Sequence, residues 1–148
     1  MALKDLRDRF KAKLAAVEGV GVVHDYQRWS NEWGKFLDHF KDADGKINGC
    51  CFTRSATPSE RVVMPYLDRN HTFLIRYYYG LNDADATELF FQDLLEDIQD
   101  AFDSEYNWDD YAVNSGPMQI TVVDNRVFGS VLCHYAELTY WIEERVSY

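Results

Sequence analysis

Residues 71–103 read HTFLIRYYYGLNDADATELFFQDLLEDIQDAFD. His71 to Tyr79 is β-branched and aromatic, a composition that suits the pleated, half-buried surface of a central strand. Gly80 follows as a turn. From Asp83 to Asp103 the period changes: Phe91, Leu94, Leu95, Ile98 and Phe102 recur three and four apart, the buried stripe of a long helix. Its opening, LNDADATE, places acids at the N-terminus, where they complement the helix dipole. The outward side carries Asp93, Glu96, Asp97, Asp100 and Asp103, and no Lys at i+4 relieves them. A strand running into an amphipathic helix predicts a sheet with a helix packed on it.

The flanks extend this plan. Leu3, Leu6, Phe10, Leu14 and Val17 mark a first helix from Leu3 to Glu18, with Gly19 as its C′ residue. Its other face aligns Lys4, Arg7 and Lys11, with Arg9 and Lys13 beside them. Val20 to Asp25 reads as a short strand. Ser30 or Asn31 is positioned to cap a second helix carrying Trp33, Phe36, Leu37 and Phe40, which stops near the Asp44-Gly45 turn. Ile47 to Arg54 and Arg61 to Met64 read as strands forming an antiparallel pair, joined by a loop from Ser55 to Glu60 around Pro58.

After the long helix, Glu105 to Gly116 is an aromatic and acidic loop. Met118 to Asp124 is a strand, Asn125 to Ser130 turns the chain, and Val131 to Arg145 alternates as one long strand. The sequence therefore predicts a single α+β domain over residues 1–148, a mainly antiparallel sheet with two or three helices on one face.

Composition bounds the possibilities. A chain of 148 residues with 47% hydrophobic and 16% aromatic residues is a packed globule rather than a disordered one. Its net charge of −10 is unevenly spread. Residues 1–76 hold 13 basic and 10 acidic side chains, whereas residues 77–125 hold 12 acids and no Lys or Arg. A surface of that sign repels phosphate, which argues against wrapping nucleic acid and leaves open only a local basic patch in the first segment. A solvated face or a basic protein partner remain as explanations. MALKDLRDRFKAKL lacks the apolar core of a signal peptide, and no stretch approaches the ~20 apolar residues of a membrane span. The expectation is a protein made in a reducing cytoplasm, with no membrane partner.

Chemistry finds little support. Cys50 and Cys51 alternate across a strand rather than bridging, and Cys133 and His134 point to opposite faces, so they form no nucleophile and base pair. His24, His39, His71 and His134 sit at no metal-ligand spacing. The GxSxG, GxxxxGK[ST] and GxGxxG motifs are missing from the sequence. Twenty-five acids make carboxylate pairs uninformative. We therefore expect no enzyme, cofactor or metal. Two features point instead to assembly. An acidic helix that meets the basic first helix of a neighbour would use Lys4, Arg7 and Lys11 against Asp93, Asp97 and Asp100. The other is the set of aromatics outside the expected core, Tyr26, Trp29, Tyr106, Trp108, Tyr111, Trp141 and Tyr148, with Trp108 and Tyr111 as interface anchors.

Three phrases cover most of the chain: VEGVGVVHDYQRW (17–29), FLIRYYYGLNDADATELFFQDLLEDIQDAF (73–102) and GPMQITVVDNRVFGSVLCHYAELTYWIEE (116–144). With the amphipathic first helix, this pattern resembles the small tail-terminator and tail-completion proteins of long-tailed bacteriophages. The resemblance implies a structural virion protein without catalytic residues, an α+β subunit of a homohexameric ring. Such a ring caps the tail-tube protein and faces the head-side connector or stopper, and DNA passes through its lumen without specific binding. A head-completion or neck adaptor is the alternative within that class. A small cytoplasmic hydrolase, a ligand-binding domain or a monomeric adaptor are alternatives outside it.

Overall fold

Leu6, Phe10 and Leu14 are fully buried on α1 (Leu3–Ala16), as their spacing requires, and Gly19 leaves the helix in the left-handed region at φ +91°. The computed structural model describes residues 3–105, 108 and 112–148; Tyr106, Tyr111 and the Trp33 side chain lie outside the described residues. Seven strands form one sheet: β1 (Val22–His24), β2 (Asn48–Ala56), β3 (Ser59–Val63), β4 (Tyr66–Gly80), β5 (Asn114–Ser115), β6 (Gln119–Phe128) and β7 (Val131–Ser147). The order across it is β1-β2-β4-β7-β5, with β3 beside β4 and β6 beside β7, and only the β1–β2 pair is parallel. The α+β class is as the sequence predicts.

The backbone of the sheet is the β4–β7 pair, aligned from Tyr66 opposite Ser147 to Gly80 opposite Cys133. Alternation along these strands sends two sets of side chains to two faces. On one face Phe73, Ile75 and Tyr77 join Ala136, Leu138, Tyr140 and Ile142 beneath α1 and α2 (Thr87–Asp103). Phe10 of α1 seals this layer, with its ring 4.7 Å from those of Phe52 and Phe73 and 5.0 Å from Phe102. The other face is covered as well, which corrects the expectation of helices on one side only. Phe36, Leu37 and Phe40 of a 3-10 helix (Trp33–Phe40) pack there on Cys51, Tyr78, Cys133 and Tyr135. The vicinal cysteines are thus split between two cores, and all three thiols are free.

Three further expectations change. The strand at Arg61–Met64 does not pair with its predecessor; β2 and β3 lie end to end along one edge of β4, opposite 72–79 and 66–69 respectively. Only Thr57 and Pro58 separate them, and the Pro58 carbonyl accepts the Asn70 N–H at 2.8 Å. Proline fits this corner because it has no N–H to withhold from a ladder. The turn expected over Asn125–Ser130 shrinks to Gly129-Ser130, because Phe128 pairs directly with Val131 and Gly129 supplies φ +66° at the first turn position. Asp83–Asp85 forms a separate 3-10 turn, and Ala86, at φ 53°, breaks it from α2.

Candidate functional site

On α2, Phe91, Leu94, Leu95, Ile98 and Phe102 are buried, which turns Asp93, Glu96, Asp97 and Asp100 outward, all exposed. None of these four takes part in an ion pair among the described residues. Asp103 differs in being tied inward: its Oδ1 accepts the Met118 N–H at 2.8 Å. The same outward face begins with apolar residues, Leu89 at 65% exposure and Phe90 at 61%. The helix start is held by Asn82, whose side chain accepts the Asp85 N–H, and by Thr87, whose hydroxyl accepts the Asn82 N–H at 2.8 Å.

The basic side divides in two. Lys4 pairs with Asp8 at 2.8 Å, and this hydrogen bond raises the Lys4 ammonium and lowers the Asp8 carboxyl relative to their ordinary values. Arg7 is half-buried and lines a cleft of about 200 Å³ with Asp25, Tyr26 and Arg54. Lys11 is half-buried and enters no ion pair among the described residues. Lys13, by contrast, is used within the chain: it pairs with Glu105 at 3.0 Å and sits 5.8 and 5.7 Å from the Phe102 and Trp108 ring centres. Arg9 donates to the Trp108 carbonyl at 3.4 Å.

Trp108 is the clear correction. At 3% exposure it stacks on Phe10, its indole N–H donates to the Tyr140 hydroxyl at 3.3 Å, and it belongs to the core. Trp108 therefore sits against the sheet, a placement that composition alone does not reveal. Tyr26, Trp29 and Tyr148 are exposed as expected, Trp141 is half-buried, and Tyr111 lies outside the described residues. The structure therefore keeps Asp93, Asp97 and Asp100 on one open face and Lys4, Arg7 and Lys11 on another, and joins the two by no ion pair among the described residues.

The histidines are all engaged. His24 donates from Nε2 to the His39 carbonyl at 2.7 Å, and Arg28 bridges the two imidazoles at 3.5 and 3.1 Å. His134, buried, bonds Thr87 at 2.9 Å and Asn125 at 2.8 Å, and desolvation lowers its pKa. His71 joins Thr57 at 3.1 Å to Glu144 at 3.0 Å, a chain assembled from β4, β7 and the link between β2 and β3 that sequence spacing could not reveal. Its connectivity is that of a nucleophile, base and acid. However, His71 and Glu144 are buried side by side in the sheet, and neither the cleft beside Arg7 nor a larger one near Asn82 reaches them. The larger cleft, about 750 Å³, lies between Asp42, Lys46 and Asn48 on one side and Asn82, Asp85 and Phe90 on the other. Asp42 is committed there to its own turn, accepting the Asp44 and Lys46 N–H groups. Among the described residues no three His, Cys, Asp or Glu side chains converge as metal ligands.

No helix among the described residues is long and apolar enough to cross a membrane. The chain matches no protein-family model and no curated protein sequence.

Proposed function

We propose that this protein is a structural component of a bacteriophage virion, a tail terminator that forms a ring in the neck, caps the tail-tube protein and faces the head-side connector. The observation that carries the reading is the open acidic face of α2, without an ion pair among the described residues, on a chain whose basic residues lie elsewhere. Segregated charge of this kind suits a closed heterologous interface, in which one face of a subunit meets a different face of the next. Acids that line a lumen would also let DNA slide past without sticking, because phosphate is repelled. The likeness of the three sequence phrases to tail terminators supports the same assignment.

The test is assembly. Native mass spectrometry and electron microscopy of the purified chain are expected to show a ring. Lys4→Glu, Arg7→Glu and Lys11→Glu together should abolish it while leaving circular dichroism unchanged, and Asp93→Lys, Asp97→Lys and Asp100→Lys should restore it. A chain that stays monomeric at the highest attainable concentration defeats the proposal.

A further inference from the structure

The sheet outruns its core at one end. From Thr53 to Asn70 every residue is exposed or half-buried, so β3, the start of β4 and the end of β7 form a projecting arm. Its tip is apolar: Val62, Val63 and Met64 are exposed, Met64 at 72%, and Tyr148 is held beside them by its N–H to the Pro65 carbonyl at 3.1 Å. Water around such a cluster favours its burial against a partner.

Behind the tip stand arginines. Arg61 lies opposite Leu67, Arg69 opposite Ser59 and Arg54 opposite Phe73, so all three project from the face of the sheet that Phe73 and α1 occupy. None joins an ion pair among the described residues. Arg61 donates to the Met64 sulfur at 2.8 Å and Arg69 to the Tyr148 hydroxyl at 2.8 Å, contacts that orient the guanidinium groups and leave their charge uncompensated.

We infer that this arm docks on the outward face of α2 in a second copy of the chain. The inference rests on the ring reading above and names its contact. Order and charge together select α2. Its outward face opens with Leu89 and Phe90 and continues into Asp93 and Asp97, the same order, apolar then charged and of opposite sign, as Met64 followed by Arg61 and Arg69 on the arm. Arg7 and Arg54 line one cleft, so the basic side of α1 continues into the arm and the two reach the acidic face together. Because tip and helix are different surfaces, the contact repeats head to tail, as ring closure requires.

The three native cysteines are buried, so a thiol introduced on the surface reports alone. Full-length Met64→Cys and Leu89→Cys variants are mixed and oxidised. A docked pair raises the effective concentration toward mM, and the mixture should give at least about tenfold more disulfide-linked dimer than either variant by itself. Arg61→Glu with Arg69→Glu should weaken self-association about tenfold, and Asp93→Arg with Asp97→Arg should restore it. If the chain assembles without the mixed disulfide, or the charge reversal leaves assembly unchanged, docking on α2 is wrong and the ring stands. If the chain never assembles, the ring reading itself fails and docking goes with it.

Discussion

A Cβ built on Gly21 would lie 2.0 Å from the carbonyl oxygen of Asn48. This is a backbone contact that no side-chain rotation relieves, at the place where the chain leaving α1 passes β2. We expect Gly21→Ala to cost about 2–3 kcal/mol in urea denaturation, through displacement of one of the two segments. The His71–Glu144 pair behaves differently, since each partner satisfies the other in a buried site. His71→Ala leaves Glu144 without its partner and should cost about 3 kcal/mol by the same measurement; a loss below about 0.5 kcal/mol would mean that water replaces the imidazole. Neither position was legible in the sequence. Gly21 read as part of a strand and His71 as one more strand residue, because both effects depend on groups that are distant along the chain.

At the scale of elements, the long helix was legible almost residue by residue. Its five buried positions follow a 3.6 period that any packed surface would select. Its start was not. Ala86 sits at φ 53° with no side chain to cap the first turn, a local cost that the sequence LNDADATE does not announce. Ala86→Asn, which tolerates the left-handed region and can supply a capping oxygen, should raise the unfolding free energy by about 1 kcal/mol in thermal melts. The second helix also departs from expectation. It is a 3-10 helix that begins at Trp33 with Glu32 as an N-cap lacking a side-chain bond, and the Ser30 hydroxyl is spent on the Glu32 backbone. With only eight residues held by packing on Tyr78 and Tyr135, the tighter helix suffices.

For the whole molecule, the two cores set an alkaline limit on stability. Burial pushes the Cys133 thiol up to about 12, raises Cys50 and Cys51, and raises the Tyr77 and Tyr78 phenols. In the unfolded chain a thiol ionises near about 8.5. These groups therefore hold their protons in the fold where the unfolded state has released them. Their contribution is complete below about pH 8.5 and declines as pH rises toward 12. The urea midpoint should fall between about pH 8 and 10.5, and Cys133→Ala should flatten that fall relative to its own value at pH 8. An unchanged slope would show that the thiol opens to solvent.

Period and composition alone determined the α+β class, the buried stripes of both α-helices, the long strands and the segregation of acids into residues 77–125. Those properties are local: a 3.6 or 2.0 repeat and a run of charge are complete within a few turns of chain. Only the tertiary structure decided that β2 and β3 share one edge of β4, that Trp108 returns to the core while Met64 and Val63 stand out on an arm, and that Arg7 and Arg54 line one cleft. Each of these depends on which strands pair over long separations, and pairing is chosen by the summed burial of both faces of the sheet rather than by any segment's own pattern.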